Sequence, residues 1–290
     1  MPAEINLTPT CRFEEVGTDA NPIKARRWVI PDAKFGAILM HGLGAHSGWF
    51  EPFAARLRAM GVDAISYDQA GFGERKRSRP ANLSQIWNSE LDEVIHRYQD
   101  QESIGKKPFF LMGNSMGAMV ALRWLCTTKS IPPGLKGIVL FSPGFGGNPE
   151  RFTLPYQVGA LFTAIFAPKK MVKLPYGVSD ITRHVEVQDQ LNKDPQMMLA
   201  IEAGLGFELF SLTQDVAKLP KRLSLPLFLA MAGQEHIVDN KATLEFYDQV
   251  ESPSKTRFAY PEAFHDLMFD ACQVQLAEDL VAWMSGVTKM

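Results

Sequence analysis

Phe109-Phe110-Leu111-Met112-Gly113-Asn114-Ser115-Met116-Gly117 is the stretch on which the reading of this chain turns. Four apolar residues in a row, two of them aromatic, suit a short strand buried on both faces, and they stop at a glycine. From Met116 the apolar spacing becomes helical and holds to residue 126. Between the two segments stands one serine in a G-x-S-x-G pattern. A strand that turns sharply into a helix lifts such a serine above the sheet edge, and small residues two before and two after it let the backbone close the turn. The serine also opens a helix, where unpaired N–H groups favour negative charge. Ser115 is therefore read as a nucleophile and not as the cap of an ordinary glycine turn.

Outward from the elbow, short apolar runs alternate with helix-period segments. Strands are expected over residues 35–40, 62–67, 108–112, 137–141, 226–231 and 257–260. Helices are expected over 50–60, where Gly61 can close the last turn, over 86–98, 116–126, 241–250 and 270–284. Strands alternating with helices imply parallel βαβ units and an α/β fold with helices on both faces of the sheet. The alternation breaks over residues 144–225, which hold helix-like pieces, Pro and Gly breakers and no clear strand. An insertion of this size between two strands would cover the carboxyl ends of the sheet, where such sheets bind ligands. Residues 1–143 and 226–290 are read as the core, and 144–225 as a helical lid.

A serine needs a base, and the base an orienting acid. Sites on a strand–serine–helix elbow carry the acid and then the histidine after the nucleophile in chain order. His41 and His46 precede Ser115 and are read as loop-shaping hydrogen bonders. Of the later histidines, His184 lies in the insertion and His236 sits where the acid belongs. His265 follows the last expected strand and is the expected base. The acid is Glu235 or Asp239, and Glu235 is preferred because Asp239 already has a role as a helix N-cap. Negative charge built on a substrate carbonyl needs two fixed backbone N–H donors. Met116, just after the nucleophile, supplies one. The loop His41-Gly42-Leu43-Gly44, directly after an earlier strand, supplies the other through Leu43.

Taken together these motifs resemble the monoacylglycerol lipase and lysophospholipase group of α/β-hydrolases, a serine aminopeptidase S33-type group. The resemblance runs from about residue 27 to 284. Its most specific piece is His41-Gly42-Leu43-Gly44-Ala45-His46-Ser47-Gly48, with Gly113-Asn114-Ser115-Met116-Gly117 similar to the group's elbow. Asp194-Pro195, in a helical segment ending at Leu223-Ser224-Leu225-Pro226, looks like its cap. The step from Glu235 to His265 also matches the group's spacing. Three positions depart from it. Glutamate stands at 235 where the group has aspartate, Asp68-Gln69-Ala70-Gly71-Phe72-Gly73 lacks an arginine, and Asn114 replaces a histidine. The resemblance implies an α/β-hydrolase fold, a mostly parallel sheet with a helical lid between two strands. It also implies hydrolysis of carboxylic esters with medium to long acyl chains, through an acyl-enzyme on Ser115.

Composition narrows the partners. The chain has 290 residues, 46% of them hydrophobic and 21% charged, with a net charge of −2. No basic surplus points to nucleic acid. Three widely spaced cysteines, Cys11, Cys126 and Cys272, suggest neither a disulfide framework nor a metal site, and reduced thiols fit a cytoplasmic location. No metal or cofactor is implied. Met1-Pro2-Ala3-Glu4 does not read as a signal peptide, and the longest membrane-like run, residues 158–168, falls short of the ~20 residues a span needs. In the insertion, Leu161, Phe162 and Phe207 are candidates to line an acyl channel, the competing reading being that a cap needs its own core. Lys169, Lys170 and Lys173 beside the apolar run allow a transient contact with an anionic membrane surface through the lid. The competing functions are a peptidase, thioesterase or acyltransferase on the same residues, and a silent ligand-binding fold. Oligomeric state is left open.

Overall fold

The computed structural model describes residues 11–17, 21–75, 82–100 and 107–289. Met1-Pro2-Ala3-Glu4, where no signal peptide is read, lies outside them.

The apolar runs fold as strands because each buries both faces. In chain order the structure has β1 (Arg12–Glu15), β2 (Lys24–Trp28), β3 (Phe35–Met40), α1 (Glu51–Ala59), β4 (Val62–Tyr67), α2 (Leu83–Gln99), β5 (Phe109–Asn114), α3 (Met116–Thr127) and β6 (Leu135–Phe141). Then come α4 (Leu154–Phe166), β7 (Met171–Lys173), α5 (Val178–Ile181), α6 (Val185–Lys193), β8 (Ala200–Glu202) and α7 (Ala203–Ala217). The chain closes with β9 (Leu227–Ala232), α8 (Asn240–Gln249), β10 (Lys255–Tyr260) and α9 (Gln273–Val287).

Eight strands form one sheet in the order β1-β2-β4-β3-β5-β6-β9-β10. From β4 to β10 neighbouring strands are parallel, while β1 and β2 add an antiparallel edge. Every residue of β3, β4, β5 and β9 is buried, as a parallel sheet covered on both sides requires. The strand period of two sends alternate residues into two cores. Ile38 and Met40 face the core built with α2, α3, α7 and α8, whereas Ala37 and Leu39 face the one built with α1 and α9. The α/β class and the expected strands and helices are all present, with ends displaced by a few residues.

Two expectations need correction. The alternation expected from residue 35 is preceded by two further strands, β1 and β2. Their sequences, Arg12-Phe13-Glu14-Glu15 and Lys24-Ala25-Arg26-Arg27-Trp28, are too charged to read as strands. Arg27 is nonetheless fully buried, because its guanidinium is paired with Asp63 at 3.1 Å across the sheet. The insertion is also not free of strands: β7 and β8 form an antiparallel pair. Three residues apiece leave no room for an alternating pattern to show.

Candidate active site

β5 ends at Asn114, and Ser115 turns the chain into α3 with φ 52° and ψ −112°, a positive φ unusual for a residue with a side chain. The surrounding backbone holds it there. The N–H of Ser115 donates to the carbonyl of Phe141 at 2.9 Å, and its own carbonyl accepts from Gly144 at 3.2 Å. The two glycines of the motif are demanded by contact. A Cβ at Gly113 would stand 2.4 Å from the nitrogen of Ala118, and one at Gly117 would stand 2.2 Å from the carbonyl oxygen of Met40. The strand, the helix and the neighbouring β3 therefore approach too closely for any side chain at either position.

The loop after β3 runs beside this elbow. A Cβ on Gly42, the residue before Leu43, would lie 3.3 Å from the Cβ of Ser115. Met116 is the first residue of α3, where a helix offers its N–H no acceptor of its own. His41 shapes the loop. It is fully buried, its Nε2 accepts from the N–H of Gln69 at 3.0 Å, and its Nδ1 therefore carries the proton donated to the carbonyl of Gly42 at 2.9 Å. Burial lowers its pKa to about 4, against the pull of Asp68, so the ring stays neutral. The side-chain amide of Gln69 returns a bond to the carbonyl of His41 at 2.9 Å.

The loops after β9 and β10 bring Glu235 and His265 together. Nδ1 of His265 lies 3.0 and 2.9 Å from the two carboxylate oxygens of Glu235. Oε1 of Glu235 also accepts the N–H groups of Ile237 and Val238 at 2.8 and 3.1 Å. Burial opposes the charge on Glu235, but His265 and these two N–H donors outweigh it and hold the pKa below its ordinary value. For His265 burial again acts first, against the imidazolium. The carboxylates of Glu235 and Asp266 more than offset it, and the pKa lies above 6.5. With Nδ1–H turned to Glu235, the lone pair of the neutral ring is on Nε2.

Asp239, the rival acid, is occupied elsewhere: its carboxylate caps α8 by accepting the N–H of Lys241 at 2.8 Å. The ring of His236 packs edge-on against Phe264, with centroids 4.9 Å apart. His184 stands at the start of α6 in the inserted segment.

One connection has no counterpart in the sequence reading. The side-chain amide of Asn114, the residue before the serine, donates to Oδ2 of Asp266, the residue after the histidine, at 3.0 Å. Both are buried, and the bond ties the elbow to the histidine loop. Oδ1 of Asp266 caps the turn that follows by accepting from Met268 at 3.2 Å. Burial lifts the Asp266 pKa to about 6 despite these donors. Asn114 stands out in the sequence only as a departure from a family pattern, and nothing local marks Asp266.

Leu161, Phe162 and Phe207 are 47, 62 and 48% exposed. α4, which carries Leu161 and Phe162, contributes no buried residue at all, and Phe207 is not among the buried residues of α7, so none of the three is serving as a core for the insertion. Among the described residues no group of three or more His, Cys, Asp or Glu is placed to hold a metal ion. No helix among them is long and apolar enough to cross a membrane.

Residues 32–271 match the family model described as serine aminopeptidase, S33. The chain is 25% identical over 277 residues to a monoglyceride lipase of Homo sapiens, covering 94% of this chain and 90% of that protein. It is 24% identical over 232 residues to phospholipase YtpA of Bacillus subtilis, covering 79% of this chain and 87% of that one. A crystal structure of a soluble variant of monoglyceride lipase from Saccharomyces cerevisiae, in complex with a substrate analogue, superposes with a TM-score of 0.82 at 20% identity, over 99% of this chain and 97% of the other.

Proposed function

Because this chain belongs to the serine aminopeptidase S33 family, and within it is a serine ester hydrolase of the monoglyceride lipase-like α/β-hydrolase group, we propose that it cleaves medium- to long-chain acyl esters through Ser115, His265 and Glu235. The observation that carries this reading is the double contact between His265 Nδ1 and the Glu235 carboxylate, on loops tied through Asp266 and Asn114 to a serine held at positive φ. In the first half-reaction Nε2 of His265 takes the hydroxyl proton as Ser115 Oγ attacks the ester carbonyl. The N–H groups of Leu43 and Met116 receive the oxyanion. Collapse breaks the bond to the alcohol, which leaves with the proton from His265. Water then attacks the acyl-serine as His265 takes its proton, and collapse breaks the bond to Ser115 Oγ, which recovers that proton from His265 as the acid leaves and the ring returns to neutral. No metal or cofactor has a part in these steps.

Substrate class follows from the surroundings of the site. Residues 144–225 act in this reading as a lid, and Leu161, Phe162 and Phe207 supply apolar surface for an acyl chain. Monoacylglycerol and lysophospholipid are the substrate types favoured. The experiment is a panel of nitrophenyl esters of rising chain length run beside aminoacyl amides. We expect kcat/KM to climb with chain length by on the order of fourfold for each methylene buried, since a buried CH₂ is worth ~0.8 kcal/mol. Amide turnover above ester turnover would move the assignment to the peptidase reading that the family's name carries.

The exposed face of the insertion suits contact with the lipid that holds such substrates. Leu154, Ile165 and Phe166 are 72, 63 and 70% exposed, and Lys169, Lys170 and Lys173 are exposed beside them. An apolar helix face bordered by cations docks on an anionic surface, each lysine near it adding ~1 kcal/mol at low salt. Sedimentation with vesicles is expected to show binding that rises with the fraction of anionic lipid, falls with added salt and is lost in the Ile165→Asp, Phe166→Asp variant. Equal binding by that variant would remove the lid from the contact.

A further inference from the structure

The inserted segment lies against the loop that carries Leu43, joined to it by hydrogen bonds beside the apolar packing of Trp49 against the cluster that holds Ile181, Val187 and Leu191. The N–H of Met198 donates to the carbonyl of Gly44 at 2.9 Å. Nε2 of His46 is 2.8 Å from Oδ2 of Asp194, and the indole Nε1 of Trp49 donates to the same oxygen at 3.1 Å. The fit leaves no slack: Gly44 has φ +76°, and a Cβ there would stand 2.1 Å from the carbonyl oxygen of Met198.

These bonds have a defined direction. Nδ1 of His46 accepts the N–H of Gly48 at 3.0 Å, so the ring proton is on Nε2 and is given to Asp194. The second oxygen of Asp194 accepts the N–H of Gln196 at 2.8 Å, which fixes the carboxylate against its own chain. Burial works against the charge on Asp194, but the His46 bond and its neighbours hold the pKa at about 2. Trp49 carries the contact onward, its ring standing 5.4 Å from that of Phe269 in the turn after His265. One carboxylate of the insertion thus grips two side chains that flank the oxyanion loop and reach toward the histidine loop.

The chemistry gives this grip a purpose. An oxyanion donor works only at hydrogen-bond distance from where the charge develops, and a segment with glycine on either side of the donor has little stiffness of its own. Leu43 lies between Gly42 and Gly44. From the core the loop is anchored by Asp68, whose Oδ1 accepts both the N–H and the hydroxyl of Ser47 at 2.8 and 2.6 Å. The opposite anchor comes from outside the core.

We infer that Asp194 is a positioning residue for the oxyanion hole: held in the insertion, it clamps His46 and Trp49 and through them sets the backbone N–H of Leu43 against the developing oxyanion. This rests on the functional reading above. It makes an intact insertion a condition for fast chemistry, in addition to any part it has in binding.

The test measures Asp194→Ala, Asp194→Asn and His46→Ala, alone and with the double variant Asp194→Ala, His46→Ala. The substrate is a medium-chain nitrophenyl ester, and an alkyl boronic acid serves as a mimic of the tetrahedral state. Active-site concentration is set by fluorophosphonate labelling, so misfolded protein does not count. Asp194→Ala is expected to lower kcat on the order of 10- to 100-fold with KM little changed, and to weaken the boronic acid in parallel, as a misplaced catalytic group does. Asp194→Asn keeps an oxygen for His46 and Trp49 and should recover most of the loss. The double variant should be no worse than the poorer single one, because both remove the same bond. An Asp194→Ala protein that melts earlier but keeps kcat and boronic acid affinity overturns the inference, and so does a rise in KM alone. If the wild type turns over amides and not esters, the substrate reading falls while the boronic acid ratio still reports on the clamp.

Discussion

Replacing Ser115 with alanine is expected to abolish labelling by a fluorophosphonate probe and to lower kcat by about six orders of magnitude, the loss seen when a serine nucleophile is removed from a working triad. The residual rate should still exceed that of water by about 10³-fold, because the N–H groups proposed to receive the oxyanion, those of Leu43 and Met116, remain. The silent-fold reading forecasts the reverse, no labelling of the wild type and no difference between the two proteins. The same position makes a second, opposite forecast for stability. Ser115 sits at φ 52°, ψ −112°, and a side chain in such a conformation carries strain of about 1–3 kcal/mol. Alanine keeps the Cβ and should leave the unfolding free energy close to that of the wild type. Glycine removes the Cβ, and Ser115→Gly should be more stable than Ser115→Ala by about 1 kcal/mol in urea unfolding. A glycine variant no more stable than the alanine one would mean that the turn is relaxed, and that the elbow aims the hydroxyl without storing strain.

The elbow is legible because all of its determinants are neighbours. A buried strand, two glycines that contact would otherwise forbid and a helix start occupy nine consecutive residues, and Gly113 and Gly117 prove to be required by atoms 2.4 and 2.2 Å from where a side chain would begin. Glu235 and His265 are legible at one remove, from the ends of β9 and β10 and from the order in which such sites run along a chain. What stays hidden has one physical character. The Asn114–Asp266 bond joins residues 152 apart, and the Asp194–His46 bond joins residues 148 apart. A hydrogen bond between two distant side chains imposes no period and no composition on either stretch. β1 and β2 escape the sequence reading for the opposite reason. β1 is an edge strand left mostly exposed, and in β2 charge masks the buried positions, the one buried charge, Arg27, being tolerable through its pair with Asp63. In α4 the rule that apolar residues lie inside points the wrong way, since Phe162, Ile165 and Phe166 stand in solvent at 62, 63 and 70%.

Glu235→Gln should lower kcat by about four orders of magnitude, comparable to the loss when the acid of a Ser-His-Asp site is made an amide. The glutamine keeps the size of the side chain and an oxygen for the N–H groups of Ile237 and Val238, but its amide can present an N–H to Nδ1 of His265 and favour the wrong tautomer. The pH profile distinguishes this from a general loss of structure. In the proposed mechanism attack requires neutral His265, so kcat/KM falls as pH drops through the pKa of that ring. In the wild type, burial alone would depress that pKa, but the Glu235 carboxylate with its hydrogen bonds, helped by Asp266, holds it above 6.5, and the acid limb should lie there. Removing the charge at 235 leaves burial opposed only by Asp266. The acid limb must then move to lower pH even as the plateau collapses. A limb that stays in place would show that Glu235 does not face the titrating ring. Asp239→Ala supplies the contrast, because Asp239 commits its carboxylate to the N–H of Lys241 at the start of α8. Its loss should reduce stability by about 1 kcal/mol and leave both plateau and limb where they were. If Asp239→Ala instead takes the larger share of activity, the acid must reach His265 by a rearrangement of the loop from Gly233 to Asp239, and Glu235 returns to being a buried partner of two backbone N–H groups.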